Sequence, residues 1–331
     1  MIKTKQVSCN NCNSDKFSIL GSGVDFEYQT SSQTFSFVKC KDCNLVYLNP
    51  RPRNSELSKI YPQNYLAYNL SEDDKTKKSS LAYKLRSSFY TSKVKYALKF
   101  LLSTDNNQIS LLDIGAGDGR LLNWYKTIPG KKISTHAVEM NSQAIELLKQ
   151  QGHNTYHGLY SETNIPHESF DIVHSSHVIE HVSDPHEFTE KSFQLLKPGG
   201  LYLTETPNID CFDAKFFVKR YWGGYHFPRH WTLYTPETFS TSLNEVGFEI
   251  IKVRFFPNPV FWVWTLHHFF SEKGFPSFIT NRFPVIDVFN NSFSNVIRLG
   301  LLSIIDRMLS FAKKGRMGTM QIIARKPIAS N

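Results

Sequence analysis

Leu111-Leu112-Asp113-Ile114-Gly115-Ala116-Gly117-Asp118-Gly119 is the stretch on which the reading of this chain turns. It closes a short apolar run, Gln108 to Ile114, suited to a strand buried on both faces, and a helical pattern opens after it at Arg120 to Trp124. The glycines therefore fall on a strand-to-helix turn, where the backbone must take unusual φ and pass close to a ligand. Gly115, Gly117 and Gly119 supply that freedom. Their Gly-x-Gly-x-Gly spacing, with Asp113 two residues ahead, departs from the dinucleotide fingerprint, which has two residues before its third glycine. Binding of NAD is the weaker reading for that reason.

Working outward, the run Ile133 to Val138 reads as a second strand ending in Glu139, an acid at the interval expected to grip ribose hydroxyls. Ser169 to Val173 reads as a fourth strand, followed by His177-Val178-Ile179-Glu180-His181-Val182 as a loop or short helix. Leu195-Leu196-Lys197-Pro198-Gly199-Gly200 is a helix stop and turn into the strand Leu201 to Glu205. Alternation of strands and helices argues an α/β fold on a largely parallel sheet.

In this order the motifs resemble the class I S-adenosylmethionine (SAM)-dependent methyltransferases, over roughly Ser110 to Gly247. The resemblance implies a seven-stranded, doubly wound, Rossmann-like domain. It places Asp113, Gly115, Gly117 and His177 around SAM, puts Glu139 on its ribose, and directs the search for the adenine pocket to His157-Gly158-Leu159-Tyr160. Thr235-Pro236-Glu237 opens a helix ending near Gly247, Phe248 to Phe256 reads as a sixth strand, and Met320 to Arg325 is expected to return as an antiparallel seventh.

Ahead of this domain stand two Cys-x-x-Cys pairs, Cys9 with Cys12 and Cys40 with Cys43. Each pair can place two thiolates on one metal from a tight turn. Structural Zn2+ is the expected metal, with iron in the same four-sulfur geometry as runner-up. Two disulfides are the bland alternative, disfavoured because Met1 to Val7 holds no apolar signal-peptide core. Cys211 is read as a buried, inert thiol. Thr34 to Val38 alternates polar with apolar as a strand before the second pair, and Leu45-Val46-Tyr47-Leu48-Asn49-Pro50-Arg51-Pro52 follows it. The whole head resembles that of a family of zinc-ribbon methyltransferases, members of which often modify sugars or surface glycans of bacteria.

The 331 residues carry a net charge of +9, unevenly spread: +8 over residues 1–100, −5 over 101–257 and +6 over 258–331. Basic flanks suit nucleic acid, an anionic membrane or phosphate-bearing substrates, or serve as plain solubilising surface. Ser71 to Ser80 reads as a solvated linker, and Ser80 to Leu102 as a lead-in helix. The expected division is a zinc ribbon over 1–52, linker and lead-in helix over 53–106, the methyltransferase core over 107–257, an apolar helical insert over 258–317, and the final strand and tail over 318–331.

The insert of about sixty residues far exceeds a hairpin loop. Val260-Phe261-Trp262-Val263-Trp264-Thr265-Leu266 and then Val296 to Phe311 are apolar, but neither offers the roughly 18 uninterrupted apolar residues of a membrane span. Peripheral contact with an anionic membrane through 258–316 is one reading; a substrate lid, a dimer face, or a helical pair packed on the domain are the others.

The acceptor must lie at the carboxyl ends of the strands. There the sequence offers His177, Glu180 and His181, and the run Tyr225-His226-Phe227-Pro228-Arg229-His230-Trp231. Methylation of a hydroxyl needs a base, and histidine titrates near neutrality. His230 and then His181 are read as that base, with His177 and Arg229 positioning the acceptor; packing among aromatics is the plain alternative for each. Metal-assisted methylation is disfavoured, since no carboxylate pair has magnesium-ligand spacing.

The expected function is methyl transfer from SAM to a hydroxyl or carbon of a small-molecule, sugar, glycan or lipid-linked acceptor, in bacterial cell-surface polysaccharide or secondary-metabolite synthesis. The enzyme would be cytoplasmic, with the inner membrane face as a variant. A quinone-like hydrophobic acceptor and an RNA substrate gripped by the ribbon are the alternatives, nucleic acid being disfavoured because His174-Ser175-Ser176-His177 stands where an Asn-Pro-Pro-Tyr-like segment is expected.

Overall fold

The computed structural model describes residues 1–62, 65, 81–102, 108–285, 288 and 293–328. Its strands, in chain order, are β1 (Thr4–Lys5), β2 (Phe17–Gly23), β3 (Phe35–Cys40), β4 (Val46–Leu48), β5 (Arg51–Pro52), β6 (Gln108–Ile114), β7 (Lys132–Glu139), β8 (Asn154–His157), β9 (Phe170–Ser176), β10 (Leu196–Pro207), β11 (Thr232–Leu233), β12 (Glu249–Phe256) and β13 (Thr319–Arg325). The helices are α1 (Leu57–Ile60), α2 (Leu81–Leu98), α3 (Arg120–Lys126), α4 (Ser142–Gln150), α5 (Pro185–Leu195), α6 (Phe212–Phe217), α7 (Pro236–Val246), α8 (Pro259–Glu272), α9 (Ser277–Thr280) and α10 (Phe293–Ser310).

Seven strands form the central sheet in the order β12-β13-β10-β9-β6-β7-β8. The pairs β10–β9, β9–β6, β6–β7 and β7–β8 run parallel, and β13 lies antiparallel between β10 and β12. The expected α/β sheet and its returning last strand are both present. Burial on two faces explains the apolar runs: Ile109, Leu111, Leu112 and Ile114 of β6 are all at most 1% exposed. The helix boundaries follow local chemistry. Thr235 closes a capping box with Thr238 ahead of α7, and Gly247, at φ 107°, ends it in the left-handed region.

Two readings shift. The fourth strand, expected to stop at Val173, runs on to Ser176, so His174 and Ser175 lie inside the sheet rather than in the loop. The linker Ser71 to Ser80 lies outside the described residues.

The N-terminal segment builds a second sheet, β11-β4-β3-β2, one strand of which comes from residues 232 and 233. Its apolar residues do not form a separate core. Cys9, Val38, Cys40 and Tyr47 pack with Ile179, Tyr234 and Phe239 in one cluster, while Phe37, Val46 and Leu48 pack with Trp222, Tyr225 and the α8 residues Phe261 and Trp264 in another.

The aromatic run of the insert is therefore not a membrane-facing surface. Phe261, Trp262, Val263 and Trp264 are at most 9% exposed, because α8 packs on the Gly223–Tyr225 turn with α10 laid across it. At about 2 kcal/mol for each large apolar side chain buried, that contact is a substantial part of what holds the 222–231 loop in place.

Candidate functional site

The glycine loop caps the carboxyl end of β6. Gly115, Gly117 and Gly119 sit at φ 71°, 53° and 72°. A Cβ on Gly115 would stand 2.7 Å from Val178 Cγ2, whereas one on Gly117 would meet no protein atom within 4 Å. The first glycine is thus required by packing, and the second faces open space. Gly115 and Ala116 N–H donate to Val138 O at 2.9 and 3.3 Å, fastening the loop to the tip of β7. At that tip Glu139 accepts from Gly117 N at 3.0 Å through one oxygen, and from Met140 N (2.8 Å) and Asn141 N (3.0 Å) through the other. Three backbone donors lock this carboxylate in place beside the glycine loop and leave about one of its roughly four acceptor sites open. Asp113, 4% exposed, lies beneath and accepts from His174 Nδ1 at 2.8 Å. The structure thus gathers Asp113, Gly115, Gly117 and Glu139 at one sheet edge. Tyr160, in the segment searched for adenine, is mostly buried with its hydroxyl 3.1 Å from Ser192 Oγ.

Beyond β9 the chain turns sharply at His177, whose φ is 54°. His177 leaves 39% of its side chain exposed, while Glu180 behind it is fully buried. His177 Nδ1 stands 3.1 Å from one Glu180 oxygen, and Thr206 Oγ1 donates to the other at 3.1 Å. Burial opposes the Glu180 charge, but His177, with His181 and His230 beyond, outweighs it and holds the carboxyl down to about 2. The same burial works against a charged His177, yet Glu180 prevails and raises its pKa above the usual 6.5.

His181 and His230 behave differently. Burial lowers the His181 pKa, and burial together with His181 pushes His230 down to about 3. His230 Nδ1 donates to Gly224 O at 2.8 Å, and His181 Nδ1 lies 3.1 Å from Arg229 O and 3.0 Å from the Tyr61 hydroxyl. Both are neutral rings that carry their remaining lone pair on Nε2. The sequence ranks His230 first as the base. Its burial makes it a poor proton acceptor, whereas His177 is exposed and has a carboxylate behind it.

Arg229, expected near the acceptor, is instead fully buried in a two-pronged pair with Asp25, at 3.0 and 2.8 Å. Arg51, from the Asn-Pro-Arg-Pro exit of the head, donates to Ser183 O at 2.8 Å with its guanidinium 4.9 Å from the Trp231 ring centre.

The structure also brings together groups whose proximity the sequence did not show. Glu180, His181 and His230 present ligand atoms within 4.8 Å of one another, a carboxylate and two neutral imidazoles that could hold a divalent cation. Nearby, Glu27 is buried with one oxygen 3.2 Å from His268 Nε2 and the other 3.9 Å from His226 Nδ1. Glu27 Oε2, His226 Nδ1 and His268 Nε2 have no hydrogen-bond partner among the described residues. No spacing rule connects residues 27, 226 and 268, so only folding reveals them.

All five cysteines are free. The Sγ atoms of Cys9, Cys12, Cys40 and Cys43 lie within 4.8 Å of one another, with Cys9–Cys43 at 3.4 Å and Cys12–Cys40 at 3.5 Å. Tetrahedral zinc with bonds of about 2.3 Å needs sulfurs about 3.8 Å apart, so the four thiols fit one ion. Cys211 is fully buried beside Asp213, and burial raises its pKa far above that of a reactive thiol.

A family profile described as a methyltransferase domain matches residues 86–253. Among individual proteins, the chain is 29% identical over 174 residues to the ubiquinone biosynthesis O-methyltransferase of Roseobacter denitrificans, covering 48% of this chain and 67% of that one. It is 30% identical over 168 residues to the same-named protein of Cereibacter sphaeroides, covering 48% and 68%. A solved SAM-dependent methyltransferase from Archaeoglobus fulgidus superposes with a TM-score of 0.45 at 18% identity, over 77% of this chain and 100% of that one. The profile spans half of the chain and coincides with the sheet that carries the glycine loop. The chain therefore belongs to the methyltransferase-domain family, as a class I SAM-dependent methyltransferase.

Proposed function

We propose that this enzyme O-methylates a hydroxyl of a small hydrophobic acceptor of the quinone-precursor kind. The observation that carries the reading is the match of its core to proteins named ubiquinone biosynthesis O-methyltransferase. It replaces the sugar or glycan acceptor as first choice. A sugar hydroxyl remains the second reading, favoured by the unpartnered buried atoms of Glu27, His226 and His268, which suit a ligand rich in hydroxyls.

In this reading Asp113, Gly115, Gly117, Glu139 and His177 hold SAM, which when bound supplies an electrophilic methyl for in-line displacement. His177 is the base: Glu180 fixes the ring through Nδ1, leaving Nε2 to take the proton of the acceptor hydroxyl. His181 and His230 shape the wall behind it. The four cysteines hold a structural zinc, with iron second, and the ribbon (1–52) and insert (258–317) are accessory to the core.

The test is to incubate the protein with methyl-labelled SAM and ortho-dihydroxylated polyprenyl-phenol precursors, with an extract of its own cells in parallel. Label on the phenol supports the reading. Label confined to polar glycan or RNA fractions of the extract overturns it.

A further inference from the structure

Helix α10 has one covered side and one uncovered side. Leu302, Asp306 and Ser310 are at most 7% exposed, and the Asp306 carboxylate accepts from Asn258 N at 2.9 Å, so this side is fixed to the start of α8. On the opposite side, and in the turn that follows, Ile297, Leu301, Ile304, Ile305, Met308 and Phe311 are between 42% and 81% exposed. They recur every three or four residues and therefore share one stripe. A surface helix ordinarily places polar residues there, and a contiguous apolar stripe marks an interaction surface.

Charge decides the occupant. Between Lys273 and Arg316 the sequence carries seven cations and two acids, Asp287 and Asp306, and of the cations Lys313 and Arg316 are paired with Asp210 and Glu237. Asp306 is fully buried, while Arg307 and Lys314 are exposed. A second copy in a two-fold dimer would set this cationic surface against itself. An anionic lipid surface would instead pair the cations with headgroups and take the stripe into the acyl boundary. Among the described residues no helix is long and apolar enough to cross a membrane, so the contact lies in the plane of the surface.

We propose that α10 docks this enzyme on an anionic lipid bilayer through the Ile297–Phe311 stripe, with Arg307 and Lys314 meeting headgroups. The contact does not depend on which acceptor is methylated, so it stands or falls separately from the proposed substrate. It also assigns the membrane-facing role to α10 alone, since the aromatic run of α8 is interior.

Deleting the insert would remove core residues of α8, so the test uses exposed positions. The full chain is floated with vesicles of phosphatidylcholine and phosphatidylglycerol (7:3) and with phosphatidylcholine alone at 0.1 M salt, while SAM binding is measured to confirm folding. Flotation is expected with the anionic vesicles, to be lost in Leu301→Ser/Ile304→Ser, and to weaken about fivefold per charge removed in Arg307→Gln/Lys314→Gln. Failure of the unaltered protein to float, or undiminished flotation of the serine variant, would overturn the proposal. So would a lipid-free dimer that the serine variant converts to monomer, since the stripe would then be a protein interface.

Discussion

Replacing Glu180 by Gln gives a sharp test of the buried pair behind His177. Glu180 is fully buried, and its pKa lies at about 2 against a reference of 4.5. A depressed acid contributes stability above its unfolded pKa and loses it as pH falls towards the folded value. At 1.36 kcal/mol per pH unit the full contribution is about 3 kcal/mol, of which about 2 kcal/mol is lost between pH 5.5 and pH 3. Over that window the His177 ring, raised by Glu180, is protonated in both folded and unfolded chains and adds little. The depressed His230 and His181 remain in both proteins, but each loses in the variant the Glu180 charge that raised it, which adds acid sensitivity there and offsets part of the difference. Urea unfolding at the two pH values should therefore show wild type losing up to about 2 kcal/mol more than Glu180→Gln. The same substitution lowers the pKa of His177, so the acid limb of kcat/KM should move to lower pH while its plateau falls. Parallel stability losses in the two proteins would show that Glu180 is not ionised as argued; an unmoved acid limb would remove His177 as the base.

Three further substitutions probe separate parts. Gly117→Ala, with open space beyond its Cβ but φ 53°, should cost about 1 kcal/mol of stability and most of the SAM affinity, read by calorimetry; unaltered affinity would place the cofactor elsewhere. The native protein should release one zinc per chain to a chelator, and Cys12→Ser should lower both metal content and melting temperature; a metal-free native protein of equal stability would refute the ribbon. Asp25→Asn leaves Arg229 buried without its counter-charge and should cost about 3–5 kcal/mol in urea unfolding, while SAM affinity at low temperature stays near wild type; a negligible stability change would deny the strut.

What could be read from the sequence is what local backbone chemistry writes there. Gly115, Gly117 and Gly119 are visible because a loop at positive φ selects glycine, and Thr235 and Gly247 because helix ends select caps. The cysteine pairs are visible because tight turns space metal ligands at fixed intervals. Side-chain environment leaves no such mark. His230 and His177 look equal as letters; burial opposes the charge on both, and the Glu180 carboxylate against His177 separates a ring raised above 6.5 from one pushed down to about 3. Hydropathy marks both α8 and α10 as apolar but cannot say which face meets protein. The fourth strand runs past its expected end because His174 and Ser175, polar in type, find partners in Asp113 and Tyr202 inside the sheet.

The 222–231 loop, which the proposed function puts on the acceptor side, is held by three bodies, whereas the glycine loop is held by the core alone. The 222–231 loop receives Asp25 at Arg229 and Arg51 at Trp231 from the head, and Thr265 of α8 accepts from Gly223 N at 2.8 Å. From the core, Glu180 O accepts from Trp231 N at 2.6 Å. By contrast, the contacts that shape Gly115, Gly117 and Glu139 come from residues 117 to 178. Perturbing the head or the insert should thus disturb acceptor use before SAM binding. In the proposed reading the residues that hold SAM lie within the family match, while the head and the insert, which lie outside it, act on the acceptor side by buttressing the 222–231 loop.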